Sequence, residues 1–141
     1  DARERALLSA WRAAGFACSA IPPLAEISPS LQQSLDANLI ELQRAGDDDF
    51  RYARFGRSIA RAYGIDMIGR MASELPGPVA KLHLSIYRFA LSNKVAVATQ
   101  NRSALARNIA RWHRLILPAV GLNGAVDRLL VCCVPIGVTA G

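Results

Sequence analysis

The hydrophobic pattern is densest between Arg111 and Pro135, RWHRLILPAVGLNGAVDRLLVCCVP. Two runs rich in Leu, Ile and Val flank Gly121-Leu122-Asn123-Gly124. Asn and Gly accept the positive φ of tight turns, so the segment predicts an antiparallel hairpin. On its first strand Trp112, Arg114 and Ile116 point one way and His113, Leu115 and Leu117 the other. The second strand is apolar on both sides, with Leu130 and Cys132 opposing Leu129, Val131 and Cys133. A strand of that kind is covered on both faces, and the rest of the chain must supply the cover.

Upstream, Leu7, Leu8 and Trp11 recur at helical spacing over residues 2–14, with Gly15 as the expected stop. So short an amphipathic helix needs something to pack on, either the sheet or its copy in a second subunit. Pro22-Pro23 breaks the chain. Ser28-Pro29 then reads as an N-cap followed by proline at the first position of a short helix, 29–35. Residues 38–44 alternate as a strand, Gly46, Asp47 and Asp48 turn, and residues 50–55 return as its hairpin partner. Gly56, Gly64 and Gly69 punctuate the next stretch, leaving one or two helical turns at 58–63 and predicting a compact flap across a sheet.

The strongest helix covers 78–91, opened by Pro78 and stopped near Asn93. At 100° per residue Lys81, Ser85, Arg88 and Ser92 share one stripe, and Val79, Leu82, His83, Ile86 and Ala90 lie opposite. A third strand is expected at 95–102, and residues 103–110 form a connection or strand extension before the terminal hairpin. The order predicts an α+β fold: a five-stranded antiparallel sheet with helices inserted between the second and third strands.

At 141 residues the chain reads as one domain, with an N-terminal helical segment (1–15) ahead of a core at 38–134. An apolar share of 52% excludes a disordered chain, and no run approaches the length of a membrane helix or the pattern of a signal peptide. It begins at Asp1 rather than Met, as a segment excised from a longer protein would. The net charge of +6 is spread along the chain. Its densest run, Arg51, Arg54, Arg57 and Arg61, lacks the interleaved aromatics of a nucleic-acid groove, so a solvated basic surface is the preferred reading. Cys18, Cys132 and Cys133 form no CxxC, and the adjacent pair leave a strand on opposite faces. Free, largely buried thiols in a reducing cytoplasm are the expectation.

Several short motifs carry a resemblance. Glu26-Ile27-Ser28-Pro29, Phe50-Arg51-Tyr52, then Tyr63-Gly64 and Gly69 stand in order, with Ala10-Trp11-Arg12 before them and Val126-Asp127 opening the last strand. In that order they resemble a bacterial subgroup of the PAS sensory domain family, over residues 8–134. The resemblance implies a helix lying across the concave face of a five-stranded sheet with ligand space between them. It also implies an N-terminal helix that covers the outer face or mediates homodimerisation.

His83 is the sharpest chemical candidate, because a histidine on an apolar arc must be hydrogen-bonded, ligate something or line a cavity. A satisfied core or pocket histidine is the main reading. The resemblance adds haem ligation as a minor one, since haem sensors of this family carry their proximal histidine on this helix. Ile86, Tyr87 and Trp112 are the further pocket candidates, and Ala96 and Ala98 leave space above the third strand. Flavin photochemistry of the family's light sensors is disfavoured, because no Asn-Cys-Arg-Phe-type motif follows the second strand. No GxSxG, P-loop or HExxH occurs, and a turn explains Asp47-Asp48-Asp49 without a cation. The expectation is a cytoplasmic, non-catalytic sensory module with a small-molecule ligand, homodimeric and away from membranes. A filled-core dimerisation domain and a basic nucleic-acid-associated regulator are the alternatives.

Overall fold

The computed structural model describes residues 1–103, 106 and 108–138. Its strands are β1 (Leu39–Ala45), β2 (Asp49–Phe55), β3 (Val97–Arg102), β4 (Ile109–Val120) and β5 (Val126–Val138). They form one sheet in the order β2-β1-β5-β4-β3, and every neighbouring pair is antiparallel. The expected terminal hairpin is β4–β5, turned where Gly124 adopts φ +78°. Because β5 is central, paired to β1 on one side and β4 on the other, it has no free edge, and Leu129–Val134 are buried on both faces. That position explains its double apolar pattern.

The pleat sorts the two cores as the alternation predicts. Trp112, Ile116, Leu129, Val131 and Cys133 enter an inner core with Ile40, Leu42, Phe50 and Tyr52. Leu115, Leu117, Leu130 and Cys132 enter an outer core with Leu7, Ile27 and Leu35. The outer cover is α1 (Ala2–Cys18), whose Leu7 is fully buried and whose Trp11 Nε1 donates to the Pro118 carbonyl at 2.7 Å. Helix α1 thus packs on its own sheet. It runs past Gly15, the expected stop, and ends at Ser19 with φ +55°, where the Ala20 N–H reaches back to the Gly15 carbonyl at 3.2 Å. A Cβ on residue 15 would stand 3.0 Å from the Ala20 carbonyl, so the glycine serves this return of the chain rather than the helix end.

Helix α2 (Pro29–Ser34) begins at the expected place, yet Ser28 makes no side-chain cap. Gln32 organises the turn instead, donating Nε2 to the carbonyls of Leu24 at 2.9 Å and Ile27 at 2.6 Å. Helix α3 (Arg57–Tyr63) follows β2. The glycine-punctuated segment after it lies along the sheet edge: Gly69 N–H donates to the Tyr52 carbonyl and Tyr52 N–H to the Arg70 carbonyl. That pairing closes the otherwise open edge of β2.

Helix α4 (Gly77–Asn93) crosses the inner face. Ala80, His83, Leu84, Tyr87, Ala90 and Leu91 are buried, while Leu82 is 44% exposed and Phe89 56%. The buried arc is therefore rotated from the expected one, because Tyr87 and Leu84 dock on the sheet and leave Leu82 at the rim. Lys94 ends the helix at φ +55°, so β3 starts at Val97 instead of Val95. The expected connection at 103–110 lies in part outside the described residues.

Two-sided packing of β5 has a direct test. Leu129→Ala on the inner face and Leu130→Ala on the outer should each lower the unfolding free energy by about 2–5 kcal/mol. Urea denaturation reads both, and a near-neutral result at either position would show that its face is not packed core.

Candidate functional site

Between α4 and the sheet lies a cleft of about 220 Å³, walled by Pro78, Val79, Leu82 and His83 on the helix, Asn101 and Arg102 on β3, Trp112 and Arg114 on β4, and Tyr63 closing α3. Three local features build it. The helix starts at Gly77-Pro78 with no side-chain cap, which leaves its first turn as an open wall. Asn101 pairs with Trp112 in register, bringing β3 and β4 side chains to one rim. Tyr63 stacks edge-on against Trp112, ring centroids 5.8 Å apart.

Arg114 dominates the electrostatics. It is 2% exposed, sits between Thr99 of β3 and Cys133 of β5, and faces inward with Trp112 and Ile116. A guanidinium stays charged in proteins, so this is a cation held in a core. Its Nη1 donates to the Tyr87 hydroxyl at 2.7 Å and its Nη2 to the Tyr63 hydroxyl at 3.4 Å, and its carbon lies 6.0 Å from the Tyr87 ring centroid. The Cys133 thiol, its register neighbour on β5, feels the same charge. Among the described residues no carboxylate forms an ion pair with it, whereas the largely covered Arg128 is bridged to Glu41 at 3.3 Å.

His83 stands beside this charge, 7% exposed, its ring 5.8 Å from that of Tyr87. Burial, with the neighbouring Arg114 charge adding to it, pushes the His83 pKa down to about 2. The imidazole is therefore neutral at ordinary pH, and its buried Nδ1 has no hydrogen-bond partner. Asn101 Oδ1 is likewise buried and unpaired. Burial raises the Tyr87 hydroxyl to about 12, and raises Tyr63 and Cys133 as well. All three stay protonated as neutral groups around the cation.

The expected pocket residues divide. His83 and Trp112 line the cleft; Tyr87 lies beneath it as the partner of Arg114, and Ile86 is partly buried against the inner core. Ala96 and Ala98 do not join them. Ala96 packs with the outer core, and Ala98 faces a groove shared with Glu4, Leu8 and His113 under α1. The pleat decides this: Ala98 pairs with Leu115, an outward residue, so the small side chains open space on the wrong face. Arg114, Tyr63, Asn101 and Arg102 are cleft residues that the sequence pattern does not single out as a site. A signal for Arg114 is nonetheless present, since it shares the inward register of an otherwise apolar strand with Trp112 and Ile116.

Among the described lining residues His83 is the one imidazole, and its neutral ring is the donor type that a haem iron takes. The cysteines are dispersed, Cys18 exposed, Cys132 and Cys133 buried on opposite faces, and all three are free thiols. No group of His, Cys, Asp and Glu among the described residues is arranged to hold a metal ion, and no helix there is long and apolar enough to cross a membrane.

Solved structures of similar shape include PAS and sensory-box domains. A domain of an HTR-like protein from Haloarcula marismortui superposes with a TM-score of 0.54 at 17% identity, covering 70% of this chain and 95% of that one. The PAS domain of histidine kinase ThkA gives 0.54 at 15%, covering 69% and 96%. A sensory box sensor histidine kinase from Vibrio cholerae gives 0.53 at 14%, covering 80% and 92%. No family model matches the chain, and no curated protein matches it. The likeness establishes the PAS fold: a five-stranded antiparallel sheet with helices across one face and an N-terminal helix on the other.

The neutral His83 carries a pH signature. Its folded pKa lies below the ordinary value of 6.5, so the unfolded chain binds a proton that the native state refuses between those values. Stability from this residue is fully present above pH 6.5 and falls as pH falls toward the folded value. Relative to His83→Gln, the wild type should lose about 2 kcal/mol between about pH 7 and pH 5. Denaturation of both proteins across that range measures it, and parallel curves would mean His83 titrates normally.

Proposed function

We propose that the chain is a non-catalytic sensory module of a signalling protein, binding one small ligand between α4 and the sheet. The observation that carries this reading is the cleft, lined by a buried cation and by His83 and Asn101, each of which has an unpaired buried polar atom. Buried polar groups in a finished core are paired, and unpaired ones in residues beside a cleft point to a place for a partner. The names of two fold neighbours, both histidine-kinase sensor domains, point the same way. Catalysis is no part of the reading, since Cys133, the register neighbour of Arg114, is kept protonated by burial. The chain's free thiols suit a reducing cytoplasm.

Transmission follows from the pleat. Arg114 and Leu115 are successive residues of β4, one touching the cleft and the other the outer core beneath α1. A ligand that binds better to one position of β4 shifts the population of α1 positions by that difference in affinity. A second copy of the chain is the proposed partner, meeting at the end of α1 where Phe16 is 90% exposed.

Native mass spectrometry of the purified protein should show a small-metabolite adduct that disappears when Val79→Phe fills the cleft. Protein grown with haem supply should give no Soret band, with or without His83→Ala; a band lost in that variant would replace this reading with a haem sensor. Sedimentation equilibrium should show a dimer weakened by Phe16→Ser, and a monomer at all concentrations would remove the self-association.

A further inference from the structure

We propose that the cleft takes a small organic carboxylate, its carboxylate group seated on Arg114 and its apolar body against Trp112 and Val79. The proposal rests on the ligand-binding reading above and specifies the chemical class of that ligand.

Charge balance is the first argument. Among the described residues the side-chain charges lining the cleft are Arg114 on its floor and Arg102 at its exposed rim, with no Asp or Glu. An arginine only 2% exposed loses most of its hydration. Phenols supply hydrogen-bond acceptors but no opposite charge, and a buried cation without a counter-charge is costly. Arg128 shows how the chain handles the same problem elsewhere, with Glu41 and Asp127 on either side. At Arg114 the counter-charge is left to come from outside.

Donor geometry is the second argument. A guanidinium has five N–H groups in a planar fork, and the Tyr87 and Tyr63 hydroxyls accept from it among the described residues. A carboxylate matches such a fork better than a spherical anion does. His83 adds a neutral imidazole to the lining, which brings no negative charge to compete with a bound carboxylate. The wall also includes Pro78 and Val79, the first turn of the 17-residue α4, which no side chain caps. Helix N-termini of this kind favour negative charge.

Size and apolar lining select the class. A cleft of about 220 Å³ lies below the usual range of drug-sized ligand pockets and suits a short-chain acid better than a nucleotide. Pro78, Val79, Leu82 and Trp112 give it an apolar side wall. Inorganic anions leave that wall uncovered.

The test uses valerate, its neutral isostere valeramide and inorganic phosphate, followed by NMR of the two indole N–H groups. Trp112 lines the cleft, and Trp11 sits on the far face as an internal control. Valerate should move the Trp112 signal saturably in the millimolar range or tighter, leaving Trp11 in place. Valeramide should bind at least about tenfold more weakly, and Arg114→Met should weaken valerate by a similar factor. Arg102→Gln, a rim change that leaves the core intact, should weaken valerate about two- to threefold and covers the case in which Arg114→Met does not fold. Equal binding of valerate and valeramide would overturn the carboxylate assignment while leaving the pocket reading standing. Phosphate binding as tightly as valerate would also overturn it. No Trp112 response to any of the three probes would overturn both readings.

Discussion

One buried charge sets the terms for the inner half of this molecule. Arg114 lies on a strand next to the centre of the sheet, where a leucine or valine would be the simplest filling. Holding a guanidinium there requires acceptors within reach, and the surrounding elements are placed to supply them. Helix α4 must lie so that Tyr87 faces the sheet, and α3 must end so that Tyr63 reaches over. The rotation of α4 away from its expected arc, which puts Leu82 at the rim, follows from that demand as much as from apolar burial. An aromatic chain of Tyr52, Phe55, Tyr63 and Trp112 then seals the surroundings with edge-on contacts.

The same charge explains the behaviour of its neighbours. His83 is discharged by burial and kept so by a cation it cannot escape, which turns a residue that ordinarily titrates near neutrality into a fixed dipole. Tyr87 and Cys133 remain protonated beside the guanidinium. A site built from one permanent charge and several neutral, hydrogen-bonding groups recognises by charge and shape.

Sheet geometry links this cleft to the rest of the chain. A strand sends successive side chains to opposite faces, so β4 and β5 each belong to two cores at once. Few arrangements transmit a displacement more directly, because the two cores share a backbone and are both close-packed. The N-terminal helix rests on the outer core with Leu7 fully buried and the Trp11 indole bonded to the backbone of β4. Its position is therefore tied by packing and by that hydrogen bond to the strand that carries Arg114.

Strand identity, the terminal hairpin, the division of Leu129 to Cys133 between two faces and the extent of α4 were all legible in the sequence. They depend on the local periods of two and of about 3.6 residues, which side-chain polarity records directly. The order of elements and a handful of short motifs also carried the PAS resemblance. Tertiary structure alone decided the strand order, the turn that Gln32 rather than Ser28 holds, and the face onto which Ala96 and Ala98 open. It alone also assembled the cleft, since Tyr63, His83, Asn101 and Arg114 come from four elements whose separation along the chain conceals their proximity. Local pattern says that Arg114 points inward. Whether a carboxylate of the chain meets it there depends on which distant segments pack against β4, and that is decided across the whole fold.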